Sequence, residues 1–369
     1  MAYRPALLLG LGLLASTGLA AAQNREFHRG MVVSCPGWGP IWGSPAMAES
    51  LAELAEIGVD SVAIHPYGWV KRDGTVKFQP ASELEFLSRA VELAHQADMR
   101  LFWKPHLGYW GEFEWRGGIE FGDDEAAWRK FFAEYEAFIV DQARFASSAG
   151  LDLFAVGVEL EATVHREIEW RRVIAEVRKV FGGTVVYAAN WDRLGQVPFW
   201  DAVDWIGVHA YFPLSQEDDP SSAQLAAGWA PHLEDLRALS ARLDKPVLIA
   251  EVGYNLNPNA AREPWTYETD DSPLSRGLRT RLIEAALDEL ASESFIRGMY
   301  WWKWMPGRTY HRRNFSMHDP EVKRALARAW ANPDDAGKSA VRDPGVGIAV
   351  PARASARASD NVPPQGGRK

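Results

Sequence analysis

The chain has 369 residues, 47% of them hydrophobic, and carries a formal net charge of −9 at pH 7. This length suits one large domain with a tail, and the negative charge argues against nucleic acid or an anionic membrane as partner. Cys35 is the only cysteine, which excludes an intrachain disulfide.

The first 22 residues have the features of a secretory signal peptide. Arg4 gives a positive start, residues 6–14 are apolar, and residues 20–22 are small alanines suited to cleavage. The apolar stretch is too short to span a membrane. We therefore predict cleavage before Gln23 and a secreted or periplasmic location.

Eight short apolar runs follow, and helical patterns lie between most of them. Continuous apolar runs of this length are typical of parallel strands that are buried on both faces. The predicted strands are Gly30–Cys35, Val59–His65, Arg100–His106, Leu151–Glu159, Thr184–Asn190, Val203–Ala210, Pro246–Glu251 and Ile296–Lys303.

Two helical patterns are well marked in the sequence. The first has Ser44 as its N-cap, Pro45 at its first helical position and Gly58 just past its end. The second covers residues 123–149, with apolar residues at helical spacing. The connection over residues 191–202 is too short for a full helix, and Pro231 is expected to break the sixth helical pattern.

The alternation of strands and helices predicts the α/β class. We predict a single (β/α)₈ TIM barrel over residues 23–331, because no glycine-rich phosphate loop follows an early strand, as a doubly wound nucleotide-binding sheet would require. Residues 332–369 are rich in Ala, Ser, Gly, Arg and Pro and lack periodic apolar positions. They predict a disordered C-terminal tail.

Two of the predicted strands end in glutamate. Glu159 ends the fourth and Glu251 ends the seventh, 92 residues later. A barrel of this type spends about 31 residues on each strand–helix unit, so three units separate them, and the C-terminal ends of all its strands line one face. Two carboxylates at one cleft are the groups needed to cleave a glycosidic bond. Glu161 competes with Glu159, but only Glu159 completes the apolar run.

The other predicted strand ends carry polar and aromatic residues, whereas the strand starts are mostly Gly, Val, Leu or Pro. Aromatic rings pack on the apolar faces of sugars while polar groups bind their hydroxyls, so such a rim suits carbohydrate. The candidate substrate-binding residues at these ends and in the following loops are Trp38, His65, Trp69, Lys104, His106, Trp115, Asn190, Trp191, His209, Tyr211, Trp302 and Trp304.

Metal-dependent chemistry was the main alternative for the same residues, since His65, His106 and His209 with two glutamates could ligate zinc in a barrel. However, no His-x-His pair ends the first strand and no His-Glu-x-x-His sequence occurs. A serine hydrolase is disfavoured because there is no Gly-x-Ser-x-Gly elbow. We predict no metal and no cofactor.

Five segments, in this order, carry a family resemblance: Lys104-Pro-His106, Trp115-Arg116-Gly117, Gly157-Val-Glu159-Leu160, Ala250-Glu251-Val-Gly-Tyr254 and Trp301-Trp302-Lys303-Trp304. Together they resemble the clan of retaining glycosidases with glutamates after barrel strands 4 and 7. More narrowly, they resemble glycoside hydrolase family 113, whose characterised members are β-mannanases.

The resemblance implies that Glu159 is the acid/base, that Glu251 is the nucleophile and that Tyr211 hydrogen-bonds the nucleophile. It also implies that Trp302 or Trp304 forms the floor of the subsite for the attacked sugar. Arg116 and Tyr254 join the substrate-binding candidates on the same basis.

Two positions depart from the clan pattern. Val158 stands where many members have asparagine before the acid/base, and no arginine ends the second predicted strand. Lys104 or Arg116 is the candidate to supply that positive charge. For acid catalysis, we expect apolar surroundings and the charge of Glu251 to raise the pKa of Glu159.

The expected function is hydrolysis of a β-linked polysaccharide or oligosaccharide, with β-mannan first, by double displacement. The expected partner is the carbohydrate substrate, with no nucleic acid and no membrane, and the expected state is a monomer. Three alternatives stay open: a clan relative acting on β-glucan, a transglycosylase, and a catalytically inactive carbohydrate-binding barrel.

Overall fold

The computed structural model describes residues 27–307 and 314–330, so the predicted signal peptide and the predicted tail lie outside the described residues. The strands in chain order are β1 (His28–Val33), β2 (Ser61–Ile64), β3 (Tyr67–Val70), β4 (Val76–Lys77), β5 (Arg100–Trp103), β6 (His106–Gly108), β7 (Leu153–Val158), β8 (Thr184–Asn190), β9 (Trp205–His209), β10 (Val247–Val252) and β11 (Ile296–Trp304).

Eight of these strands close a parallel barrel in the order β1-β2-β5-β7-β8-β9-β10-β11, with β11 paired to β1. Each of the eight predicted runs overlaps one barrel strand, so the predicted fold is confirmed. In this numbering β7 and β10 are the fourth and seventh barrel strands.

The helices of the described residues surround the barrel. They are α1 (Pro45–Glu56), α2 (Glu85–Gln96), α3 (Glu125–Ser148), α4 (Glu167–Arg178), α5 (Ser222–Leu243), α6 (Pro273–Ala291) and α7 (Pro320–Trp330). Short 3₁₀ turns lie at Pro40–Gly43, Ala81–Glu83, Arg116–Gly118, Glu161–Thr163, Leu194–Gln196 and Trp200–Ala202. Over residues 27–307 and 314–330, no helix has both the length and the apolar character needed to cross a bilayer.

Helix positions largely follow the sequence signals. Ser44 precedes α1, Pro45 is its first residue, and Gly58 has a left-handed φ of 83° just beyond it. Residues 191–202 form only 3₁₀ turns, as their length predicts.

The expectation for Pro231 was wrong, because α5 continues through this residue. Pro231 is exposed, so the helix carbonyl that loses its amide partner faces solvent. The buried face of the same helix, which includes Leu225, Trp229 and Leu233, holds both halves against the barrel.

Apolar side chains fill the barrel in two layers. An inner core inside the strands includes Val32, Phe102, Ala155 and Leu248, and a larger outer core packs between strands and helices. Every residue of β7 and of β10 is buried, which explains their continuous apolar sequences. The glutamates after and within these strands therefore stand on rigid elements.

The predicted third strand, Arg100–His106, is wrong at its end. The barrel strand β5 stops at Trp103, and His106 begins β6, which joins β3 and β4 in a separate three-stranded sheet. Pro105 stands between the two strands and has no N–H to continue the barrel ladder. The small sheet thus directly follows the C-terminal ends of β2 and β5, beside the mouth of the barrel.

Candidate active site

The strand register brings the polar ends of adjacent strands to one level. Glu251 pairs with His209 between β10 and β9, and His209 pairs with Asn190 between β9 and β8. Glu159 directly follows β7, and its N–H donates to the carbonyl of Ala188 at 2.9 Å. All four residues thus lie at the C-terminal rim of the barrel.

Glu159 has a left-handed backbone conformation, with a φ of 54°. A non-glycine residue in this region costs about 1–3 kcal/mol and is found most often at functional sites. The strain is a reason, independent of sequence, to assign Glu159 a role beyond stability.

The imidazole of His209 lies between the two glutamates. Its Nδ1 is 3.0 Å from Glu159 Oε1, and its Nε2 is 3.6 Å from Glu251 Oε1. The two carboxylates are therefore separated by about the width of one ring and face the same cavity. This convergence is what the spacing of the two glutamates in the sequence predicted.

Glu251 is held through both of its oxygens and is almost completely buried. Its Oε1 accepts a bond from the Lys104 ammonium, and its Oε2 accepts one from the Tyr211 hydroxyl at 3.1 Å. Lys104 has no exposed surface and directs its other donors at the Ala250 carbonyl (3.1 Å) and at His209 Nε2 (3.3 Å).

The charges around Glu251 have clear physical consequences. Burial lowers the pKa of Lys104, and the opposing charge of Glu251 limits that fall. Burial, with the nearby charge of Glu251, raises the pKa of Tyr211 well above its usual value, so the phenol remains a donor. Since lysine can only donate, His209 Nε2 is the acceptor in that contact, and the ring proton is assigned to Nδ1, facing Glu159.

Glu159 pairs with a different cation from Glu251, and its side chain is more exposed to solvent. Arg116 Nη1 donates to its Oε2 at 2.7 Å, and the side chain of Glu159 is 20% exposed. Arg116 also donates from Nε to the Leu107 carbonyl at 3.1 Å. It lies on a turn over which the Trp115 indole packs so closely that a Cβ on Gly117 would overlap the ring.

The pKa shift of Glu159 has the opposite sign to the one expected. Burial would raise it, as the sequence argument assumed, but His209, Arg116 and Lys104 together outweigh burial and hold the pKa of Glu159 below its usual range. Each glutamate thus has its own cation, Lys104 beside Glu251 and Arg116 beside Glu159.

Glu161, the competitor of Glu159, is engaged elsewhere. Its Oε1 accepts a bond from Asn190 Nδ2 at 2.5 Å, and its Oε2 is 3.3 Å from Arg193 Nε. Asn190, predicted to bind substrate, therefore orients Glu161 in this structure. Only Glu159 shares a neighbour with Glu251.

Two histidines at the ends of β2 and β5 lie buried beside the carboxylates. His65 and His106 stack with ring centroids 4.8 Å apart, and the Trp302 ring lies 5.8 Å from His65. Their ring nitrogens are buried and have no hydrogen-bond partner among the described residues. Burial, with the nearby cations, lowers the pKa of both histidines well below the usual value.

A cluster of rings, here called the outer aromatic cluster, covers the small sheet. Its members are Trp38, Tyr67, Trp69 and Trp110, and Trp38 lies within 6.0 Å of each of the other three rings. Trp38 is half exposed. The cluster places the predicted residues Trp38 and Trp69 together on the rim formed by the first three barrel strands.

Two predicted residues do not reach the cavity. Tyr254 is buried, and its hydroxyl has no partner within the described part of the chain. Trp304 is buried against His318, with ring centroids 3.7 Å apart. Val32 pairs with Trp302 while the next residue, Val33, pairs with Trp304, so an irregularity in β11 breaks the alternation that would give both tryptophans one environment.

Sequence reasoning missed residues on the opposite rim. Trp191, which was predicted, stacks on Trp265. Tyr267, which meets Phe315 beside Tyr211, was not a candidate. Tyr109 was also missed, and the Arg116 guanidinium lies 5.8 Å from its ring centre. The available signal was the presence of aromatic residues in the loop after a glutamate-ended strand.

The zinc alternative has no support in the geometry. Within the two described ranges, no group of three or more His, Cys, Asp or Glu side chains is arranged to hold a metal ion. Cys35 donates to the Gly37 carbonyl at 3.4 Å, and burial raises the pKa of its thiol to about 12, which suits a packed thiol rather than a nucleophile.

Comparison with known proteins agrees with this arrangement. The model of Glycoside Hydrolase Family 113 matches residues 37–319. A GH113 β-1,4-mannanase structure superposes with a TM-score of 0.73 at 21% identity, covering 83% of this chain and 99% of the other. The GH113 β-mannanase AaManA from Alicyclobacillus acidocaldarius, in complex with ManMIm, gives 0.71 at 26% identity, covering 82% and 97%.

A more distant structure shares the fold. The family 5 mannosidase from Rhizomucor miehei gives a TM-score of 0.56 at 13% identity, with 85% and 94% of the two chains covered. The search of curated proteins finds no match.

Proposed function

The chain belongs to glycoside hydrolase family 113, and from this membership we propose that it cleaves the backbone of a β-linked mannan with retention of anomeric configuration. The observation that carries the proposal is the pair Glu159 and Glu251, which contact opposite nitrogens of one imidazole. The family 113 structures that superpose on this chain are β-mannanases, which favours mannan over other β-linked polymers.

In the first step, a Glu251 oxygen attacks the anomeric carbon while the bond from that carbon to the leaving oxygen breaks. Glu159 gives its proton to the leaving oxygen, and a glycosyl ester on Glu251 results. Lys104 and Tyr211 hold the Glu251 carboxylate in a fixed position. Both oxygens of this buried carboxylate accept hydrogen bonds. Such a carboxylate suits a nucleophile better than a general base, which must also bind the water that it deprotonates.

In the second step, water attacks the same carbon and the ester bond to Glu251 breaks. Glu159, now ionised, takes the proton from the water, and both glutamates return to their starting state. The lowered pKa of Glu159 does not suit the first step, in which this residue must carry a proton. We propose that a bound sugar raises it, because the sugar displaces water and increases the cost of a charged carboxylate.

Hydrolysis of β-mannan, β-glucan and xylan, with the product anomer followed by NMR, tests the proposal. Release of β-anomeric mannan fragments as the first product is expected. A first product of α configuration would contradict retention, and cleavage of β-glucan alone would contradict the proposed substrate. Sugar transfer to an added acceptor in preference to water would identify a transglycosylase, and binding without release would identify an inactive carbohydrate-binding barrel.

We also propose that the protein acts outside the cytoplasm as a monomer. The predicted signal sequence supports a location outside the cytoplasm. A polymer-degrading enzyme also needs this location to meet its substrate. N-terminal sequencing of the exported protein is expected to begin at Gln23. Light scattering is expected to give the mass of one chain.

A further inference from the structure

The loop between β10 and α6, residues 253–272, carries two large aromatic side chains that are left open. Trp265 is 41% exposed and Tyr267 is 58% exposed. The loop starts two residues after Glu251, so both side chains belong to the rim of the cavity. Exposed aromatic side chains grouped at a cleft indicate a surface that binds a ligand.

Tyr267 is linked to the carboxylates through two rings. It meets Phe315 edge-on at 5.5 Å, and Phe315 meets Tyr211, the partner of Glu251, at 6.1 Å. The Tyr267 side chain therefore packs against Phe315 on one side and is open to solvent on the other.

Trp265 is supported by the end of β8. Its ring stacks on Trp191 with an interplanar angle of 17° and centroids 6.1 Å apart. Trp191 is itself backed by Phe212, at 5.7 Å, and by His232, at 6.4 Å. One face of the Trp265 indole is thus covered, and a flat apolar surface remains for the apolar face of a sugar ring.

Buried amide side chains fix the loop that presents these rings. Asn255 Nδ2 donates to the carbonyls of Thr266 (3.3 Å) and Glu268 (2.8 Å), on either side of Tyr267. Its Oδ1 accepts from Phe315 N at 3.0 Å, and Asn257 Nδ2 also donates to Glu268 O, at 3.1 Å. A loop ordered in advance loses little entropy when a ligand binds.

From these contacts we propose that Trp265 and Tyr267 form a sugar-binding subsite next to the cleavage point. The Trp265 indole stacks on a pyranose ring of the β-linked chain, and the Tyr267 hydroxyl hydrogen-bonds the sugar between that ring and Glu251. This inference rests on the proposed function and adds how the site holds a polymer. Substrates long enough to reach Trp265 gain affinity that shorter ones lack.

The first test measures kcat/KM on β-1,4-linked mannooligosaccharides of increasing length. W265A is expected to lower kcat/KM on the longest substrate by about three- to tenfold, and to leave the shortest cleaved substrate unchanged. L274A removes a neighbouring large side chain that is 44% exposed and is expected to match the wild type at every length. An equal ratio of W265A to wild type at all lengths overturns the subsite while leaving the proposed hydrolysis intact.

The second test does not need turnover. It compares the migration of each variant in native gels with and without β-mannan. The polysaccharide is expected to slow E251Q, to leave E251Q/W265A unaffected, and to slow E251Q/W265F in part. Equal retardation of E251Q and E251Q/W265A overturns the subsite, as does no retardation of either. Failure of the wild type to cleave any β-linked polymer would instead count against the proposed function.

Discussion

The barrel has a polar layer at each end of its inner core, and the two layers differ in how their atoms are paired. Near the strand starts, the Tyr300 hydroxyl bonds Ser61 Oγ at 2.6 Å and His28 Nδ1 at 2.9 Å. Near the strand ends, the ring nitrogens of His65 and His106 lack partners among the described residues. The histidine near the strand starts is thus hydrogen-bonded, whereas these two histidines near the strand ends are not.

The difference separates stability from function. A paired buried network stabilises the fold, whereas buried polar atoms without partners are costly and persist where a ligand or water completes them. Burial, together with the charge of Arg100, lowers the pKa of His28 to about 3, so this ring stays neutral and structural. A substitution at the paired end should therefore change stability alone, whereas one at the strand ends should change the rate of hydrolysis.

The largest effect is expected for Glu251→Gln, which removes the proposed nucleophile. Hydrolysis should fall on the order of 10⁴-fold or more. Because Lys104 is fully buried and loses its counter-charge, the free energy of unfolding should also fall by about 3 kcal/mol. Rate assays and thermal unfolding measure the two effects.

Adding Lys104→Met to Glu251→Gln separates the effect on activity from the effect on stability. The double variant K104M/E251Q should recover stability without recovering activity, since no unpaired charge remains. Recovery of activity, or wild-type rates in E251Q on any substrate the enzyme cleaves, would disprove the assignment of Glu251.

Glu159→Ala is expected to have the next largest effect. Hydrolysis of mannan should slow by about 10²–10⁴-fold, the contribution of a general acid. Release of dinitrophenol from an aryl mannoside should suffer less, because this leaving group needs no proton. E161A is the matched control, and a larger loss in that variant would transfer the acid role to Glu161.

Arg116→Gln should change the pH dependence. Loss of the guanidinium removes a charge that lowers the pKa of Glu159, so that pKa should rise. The acid form is then kept to higher pH, and the alkaline limb of kcat/KM, which reports the free enzyme, should move upward.

The wild type and R193Q provide the comparison for this shift. In the wild type, the alkaline limb of kcat should already lie above that of kcat/KM, because bound sugar raises the pKa of Glu159. R193Q, which removes the cation beside Glu161, should leave both limbs in place. A downward shift in R116Q would mean that Arg116 does not act through Glu159.

The division between the two ends was only partly visible in the sequence. The eight strands could be predicted because both faces of each are buried, and Thr184–Asn190 is predicted to the residue. Glu159 and Glu251 could be found because strand order in a barrel converts sequence spacing into position. The sequence could not tell which cation meets which glutamate, since Lys104 and Arg116 reach them from different loops.

The sequence-based predictions were wrong where the backbone departs from the regular alternation of a strand. Alternation along β11 would make Trp302 and Trp304 equivalent, but the irregular register buries Trp304. The left-handed backbone of Glu159 and the pKa of its carboxyl depend on neighbours distant in sequence. Tyr267 lies in a loop whose path is set by Asn255, a contact without a local sequence signal.

The smallest effect is expected at the paired end of the barrel. Tyr300→Phe removes the hydroxyl that joins Ser61 and His28, and unfolding free energy should fall by about 1 kcal/mol with kcat/KM unchanged. Y254F is the matched control, because the Tyr254 hydroxyl is buried without a partner in the described ranges and its removal should not destabilise. If Y300F instead lowered kcat/KM with stability intact, the closed network would serve the site, and the division between the two ends would not hold.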